Sequence, residues 1–167
     1  MANKENELID ELKNKFKLEP KIQRERRIWV SFDSNNILKI FKWIREYGFT
    51  HLSSISVTDW LEKGIYELTY HLWSYEHNMI ITFKTKISRD KPIIESVTSI
   101  WGESAQIHER ELHELFGVKF KDNPDLTPLF LENWEGPAPF RKDFNWRKYV
   151  TEEFYSDDNE REKIYYD

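Results

Sequence analysis

A chain of 167 residues fits one domain, and without cysteine it can form no disulfide, thiolate zinc site or cysteine-ligated iron–sulfur cluster. Its net charge of −5 disfavours nucleic acid as a partner, and no apolar run approaches the roughly 20 residues that span a bilayer. Aromatics make up 16% and charged residues 33%, so large rings gather the core, or anchor a partner, beneath a polar surface.

The opening stretch MANKENELIDELK lacks the apolar centre of a secretory signal, so the expectation is a cytosolic protein, or one held at a membrane by other proteins. Residues 5–17 are predicted to form an amphipathic helix, because Leu8, Leu12 and Phe16 recur every four residues; Pro20 ends it. IWVSF, residues 28–32, is β-branched and aromatic and is predicted to be a strand. Ser34 then stands where a helix over 35–47 needs its N-cap. Ile37, Phe41 and Ile44 form the buried face of that helix, and Gly48 is the candidate C-cap. Residues 50–60 form the next predicted strand, and LEKG turns the chain. In 66–72, Tyr66, Leu68, Tyr70 and Leu72 alternate with Glu67, Thr69 and His71; 79–87 alternates in the same way. A period of two marks a sheet with one buried and one wet face. SYEHN between these strands is a hairpin loop. The predicted fold is α+β: a mixed, mainly antiparallel sheet with helices packed on it. Strand 28–32 joins the three-stranded meander through a helical crossover.

Pro92 and IIESVTSIW lead into a helix predicted over 103–116, where Ala105, His108, Leu112 and Leu115 follow the 3.6-residue period. Gly117 stops it, and VKF is a short extended piece. From 121 the pattern changes. Pro124, Pro128, Pro137 and Pro139 forbid ladders and helices, while Phe130, Trp134, Phe140, Phe144 and Trp146 need a surface to lie on. The expected organisation is an α+β body over 1–120, an extended docking strap over 121–150 and an acidic tail over 151–167.

The chain carries no glycine-rich phosphate loop and no nucleophile elbow. His108, Glu111 and His113 are close in sequence, but the histidines stand five apart. On a helix that separates them by about 140°, so packing, not metal binding, is the plainer reading. The consecutive Glu109, Arg110 and Glu111 spread over about 200° of the same helix. At least one of them must face the body of the protein. Arg110 and Glu114 make an i,i+4 pair in its weaker orientation. Either the cluster is a solvated face, or Arg110 or Glu111 is partly buried against FRKDF (140–144), where Arg141 and Asp143 complete a network.

These residues also carry a resemblance. ERELHELFGVKFKDNPDL followed by WEGPAPFRKDF resembles the signature of the 30 kDa subunit of NADH–quinone oxidoreductase. That family includes the equivalent subunit of energy-converting membrane-bound [NiFe] hydrogenases and related archaeal complexes. The likeness covers roughly residues 50–147. It implies that Glu109, Arg110, Glu111, Phe116, Gly117, Pro124, Trp134, Phe140, Arg141, Lys142, Asp143 and Phe144 are signature and partner-docking positions, with Trp134, Phe140, Arg141 and Phe144 as anchors. It also implies an accessory subunit without a cofactor of its own, on the cytoplasmic arm of a membrane-bound, ion-translocating oxidoreductase complex. Such a subunit is peripheral to the membrane and clamps the large catalytic subunit near the iron–sulfur small subunit. The [NiFe] centre and iron–sulfur clusters, or a quinone, would belong to those partners. Departures at His113, Glu114, Asp122-Asn123, Thr127-Pro128 and Pro137-Ala138-Pro139 point toward the hydrogenase-type or archaeal branch. Two other classes stay open at this stage: a stand-alone enzyme using His108, Glu111 and Arg110, and a soluble scaffold for some other partner.

Overall fold

The computed structural model describes residues 2–154. Helix α1 (Ala2–Phe16) buries Leu8 and Leu12 and ends with Phe16 edge-on to Trp43, ring centres 5.3 Å apart. Strands β1 (Lys21–Arg24) and β2 (Arg27–Ser31) form a tight hairpin. The sequence reading has only the second of them, because β1 is exposed throughout and has no buried face to betray it. The cap before the second helix is Asp33, not Ser34: its Oδ1 accepts from the Asn35 N–H at 2.9 Å. A single 3-10 turn (Ser34–Asn36) then leads into α2 (Ile37–Glu46), which buries Ile37, Ile40, Phe41 and Ile44.

Strands β3 (His51–Trp60), β4 (Ile65–Ser74) and β5 (Met79–Ser88) form the antiparallel meander. The sheet order is β1-β2-β5-β4-β3, with β2 parallel to β5 and every other pair antiparallel. Helix α2 therefore carries the chain from β2 past β5 and β4 to β3 at the far edge. Tyr66, Leu68, Tyr70 and Leu72 of β4 are fully buried on the helix-bearing face, opposite Ile87, Thr85, Phe83 and Ile81 of β5. Phe41 sits at the middle of that core, with the rings of Phe32, Tyr70, Phe83 and Trp101 centred 4.9–5.5 Å away. Burying such rings in offset and edge-to-face contacts is the main driving force available to a chain this charged.

After the sheet, β6 (Ile93–Glu95) pairs in parallel with β7 (Lys119–Lys121), and the two bracket a helical segment. That segment is broken into α3 (Thr98–Trp101) and α4 (Glu103–Phe116) at Gly102. Gly102 adopts φ 57°, ψ −132°, a conformation that side chains exclude, so glycine is what permits the corner. Gly117 ends α4 in the left-handed region at φ 76°, its N–H bonded to the His113 carbonyl at 2.9 Å.

The segment 122–145 carries no helix or strand, as its prolines require. A fifth helix, α5 (Trp146–Phe154), follows and crosses the expected strap–tail boundary at 150. Most of the predicted acidic tail, 155–167, lies outside the described residues.

Candidate functional site: a strap fastened to helix α4

The polar residues of α4 divide between two tasks. Glu109 is fully buried. Its Oε1 accepts from the Val97 N–H at 2.7 Å, and its Oε2 accepts from Ser96 Oγ and Asn123 Nδ2, both at 2.7 Å. One carboxylate thus ties the helix to the turn after β6 and to the first residues of the strap. Burial raises its pKa; the three donated bonds oppose that shift without cancelling it.

Gln106, Arg110 and Glu114 stand four apart and form a stripe toward the strap. Gln106 Nε2 donates to the Asp125 carbonyl. Arg110 donates from Nε to the Thr127 carbonyl and from Nη2 to the Pro128 carbonyl, both at 2.9 Å. Glu114 accepts the N–H groups of Leu129, Phe130 and Leu131 at 3.0, 2.9 and 2.6 Å. A proline-rich segment has no ladder to satisfy its own backbone, so these side chains complete what secondary structure would otherwise supply. Burial alone would raise the Glu114 pKa, but the three N–H bonds outweigh it and leave the carboxyl below its usual value. Glu111 is half-buried and takes no part in these contacts.

A second fastening holds residues 138–144. The Phe140 N–H bonds the Leu115 carbonyl at 2.9 Å, and the Lys142 N–H bonds Asp59 Oδ2 at 3.0 Å. Arg89, just past β5, donates to Asp59 at 2.8 and 3.1 Å and to Asp143 at 2.6 and 3.0 Å. Arg141 adds bonds to Asp143 at 3.1 and 3.2 Å. The bonds from Arg89 and then Arg141 hold the Asp143 carboxyl far below the usual carboxylate range. The Arg89 guanidinium is correspondingly held charged, chiefly by Asp143 and then Asp59.

The network that the sequence reading builds from Arg110 or Glu111 with Arg141 and Asp143 is therefore assembled differently. Its members are Arg89, Asp59, Asp143 and Arg141, while Arg110 holds carbonyls elsewhere along the strap. Asp59 was detectable: the alternation of β3 puts it opposite the core residue Tyr66. Arg89, in the polar run SRDK, carried no such signal.

The strap's rings divide too. Trp134, Phe144 and Tyr149 pack on one another with centres 4.9–5.9 Å apart, around Gly136. Phe140 meets Phe116 edge-on at 5.8 Å yet stays 59% exposed, and Phe130 and Trp146 are 61% and 51% exposed. The strap lies against its own body along part of its length, through its backbone bonds to Gln106, Arg110, Glu114, Leu115 and Asp59. Three rings remain outward. Pro124 and Lys142 are exposed, and Gly117 lies beside Ala138. The cleft of about 490 Å³ lined by Trp60, Leu61, Glu62, Lys63 and Lys142 opens at the same end of the molecule as the Asp59 bond.

His108 is half-buried, and His113 donates from Nδ1 to the Val118 carbonyl at 2.8 Å. Among the described residues, no three His, Cys, Asp or Glu side chains come together as a metal site would need. Nor is any helix among them long and apolar enough to cross a membrane.

Residues 30–150 match the family profile described as "Respiratory-chain NADH dehydrogenase, 30 Kd subunit". The chain is 34% identical over 142 residues to the C subunit of the F(420)H(2) dehydrogenase of Methanosarcina mazei, covering 82% of this chain and 89% of that protein. It is 38% identical over 97 residues to the C subunit of the NADH-quinone oxidoreductase of Coxiella burnetii, covering 58% of this chain and 42% of that one. Among solved structures, it aligns at TM-score 0.82 and 30% identity with a chain of the membrane-bound sulfane sulfur reductase (MBS), an archaeal respiratory membrane complex. That alignment covers 93% of this chain and 94% of the other. The trypsin-resistant fragment (1–134) of Nqo5 shares the fold at TM-score 0.62 and 21% identity, over 72% of this chain and 98% of the fragment.

Proposed function

We propose a function from one premise: this chain belongs to the family of respiratory-chain NADH dehydrogenase 30 kDa subunits. It is a subunit of a membrane-bound respiratory complex. Within that complex we assign it a positional role, on the cytoplasmic arm and peripheral to the membrane. There it clamps the large catalytic subunit against the iron–sulfur small subunit. The redox groups, a [NiFe] centre and iron–sulfur clusters or a quinone site, belong to those partners. The relatives in Methanosarcina mazei and in the archaeal sulfane sulfur reductase favour the archaeal branch for its assembly.

One observation carries the reading: Phe130, Phe140 and Trp146 project from a ribbon that α4 and Arg89 already hold in place. Exposed rings on a pre-ordered backbone lose little entropy on docking, and aromatic anchors dominate interface energetics. In this division of labour, Glu109, Arg110, Gly117, Arg141, Asp143, Trp134 and Phe144 shape the strap. The outward rings, with Pro124 and Lys142 beside them, meet the partner. Transfer of electrons between fixed centres depends steeply on their separation, so a rigid clamp assists the reaction without touching substrate.

The test is the double variant Phe130→Ala, Phe140→Ala. Both rings are more than half exposed, so the isolated chain should stay folded and lose no more than about 2 kcal/mol, most of it from the Phe140–Phe116 contact. The same variant should lose at least tenfold of its co-purification with the complex. A purified complex with full content of the variant chain would refute the docking role.

A further inference from the structure

The face of the five-stranded sheet opposite the helices is the second feature that asks for a partner. Register fixes its membership. Arg24 stands opposite Arg27, Arg27 opposite Ile80, Trp29 opposite Thr82, and Thr69 opposite Lys84, all on the side away from Tyr66, Leu68 and Tyr70. This face buries none of its apolar side chains: Trp29 is 39% exposed, and Trp73 and Ile80 are partly open.

Its charge runs against the rest of the molecule. In a chain of net charge −5, the strand positions of this face carry Lys21, Arg24, Arg27, Lys84 and Lys86 against one acid, Glu67. Arg24 and Arg27 are directly opposed across the hairpin, a like-charge pair that weakens a sheet unless something neutralises it. The middle of the face is already ordered. Lys84 lies between the Glu67 carboxylate, at 3.1 Å, and the Trp29 ring, at 4.9 Å from its centre. His71 is bonded to Thr82 Oγ1 at 3.1 Å. Burial, then Arg27 and Lys84, lower its pKa, so the histidine adds no charge at neutral pH. Around this patch stand the hydroxyls Ser31, Ser54, Ser56 and Thr58. The result is a basic, hydroxyl-rich platform with three indoles, Trp29, Trp60 and Trp73. Such a surface fits the carboxylate-rich face of a folded protein. It offers no protruding apolar wedge for inserting into lipid.

We infer that this open sheet face is a second docking surface, distinct from the strap, and that it receives an acidic surface of a neighbouring subunit. The inference rests on the reading of the chain as a subunit of a larger complex. Two contacts on opposite sides would place this chain between two polypeptides, as a clamp requires.

A single thiol tests it, since the chain has no cysteine. Ser56→Cys lies on the open face of β3. In the purified complex its maleimide labelling should be at least tenfold slower than in the isolated full chain. Protection should fade in about 1 M salt, where the screening length shrinks to about 3 Å. Carbodiimide coupling of the complex should join Lys84 or Lys86 to an Asp or Glu of another subunit. Arg24→Glu and Lys86→Glu should each lower retention of the chain several-fold at moderate salt. Arg24→Glu relieves the opposed pair, so it should leave folding intact and separate docking from stability.

Equal labelling in complex and isolated chain would overturn the inference. Coupling only to this chain's own residues 155–167 would do the same. So would binding of the full chain to phosphatidylglycerol vesicles that Lys86→Glu abolishes. In each of those cases the chain still co-purifies. If it does not co-purify with any complex, the subunit reading itself has failed.

Discussion

Arg89 and Asp143 lie 54 residues apart in the chain, and their side chains meet at 2.6 Å. That contact closes the strap onto the end of the sheet, because the same guanidinium is held by the buried Asp59. A long-range ion contact of this kind does what no local hydrogen bond in a proline-rich segment can do. It gives an irregular ribbon one defined path.

Arg89→Met should therefore be among the most damaging single changes in the chain. It leaves Asp59 buried without its cation, a situation that costs about 3–5 kcal/mol. Urea unfolding at neutral pH measures this directly, and a loss below about 1 kcal/mol would show that Asp59 finds another partner. Asp143→Asn should cost much less, since its side chain is 44% exposed.

Glu109 titrates in the opposite sense from the strap's other acids. Its pKa is raised above the usual 4.5, so between the two values the folded chain holds a proton that the unfolded chain has lost, and stability falls as pH rises. Asp59, Asp143 and Glu114 are lowered, so their contribution is present above the usual 3.8 to 4.5 and disappears as pH falls through their folded values. Comparison of wild type with Glu109→Gln isolates the first effect. The stability advantage of wild type should shrink as pH rises past 4.5. A widening gap would contradict the assignment.

Glu114 organises three consecutive amides. In Glu114→Ala, hydrogen exchange at Leu129, Phe130 and Leu131 should accelerate about tenfold, the scale of one lost charge-assisted bond, while the β4 and β5 amides keep their protection. Unchanged exchange at those three amides would mean that the carboxylate does not hold them in solution.

Gly136 leaves no room for a methyl group. A Cβ there would lie 2.7 Å from both the Trp134 and Tyr149 rings. Gly136→Ala should open the Trp134–Phe144–Tyr149 cluster at about 1–3 kcal/mol, seen as a loss of near-ultraviolet circular dichroism and faster proteolysis ahead of α5. An intact aromatic signal would show that the cluster has slack.

Much of this fold is legible in the order of residues alone. The alternation in 66–72 and 79–87 gives the two central strands and their buried faces, because a half-buried sheet imposes a period of two on any sequence that forms it. Helix α4 emerges residue for residue over 103–116, with Gly117 as its stop. Of the short elements, VKF was legible as an extended piece and forms β7, whereas β1, β6 and α5 were not. Strand β1 has no inward face, β6 is three residues long, and α5 begins inside a segment that four prolines mark as irregular.

The candidate site divides along the same line. Local pattern was enough to single out Glu109, Arg110 and Glu111, and to require that at least one of them face inward. Which one does so depends on where α4 lies against β3 and β6, and only the packed structure makes Glu109 the buried member. The pairing of Arg89 with Asp59 and Asp143 depends on residues 30 and 54 positions away. Periodicity reports which face of an element avoids water, a local property of a few successive side chains. The partner of a buried charge is chosen by how distant elements meet, and no stretch of sequence contains that information alone.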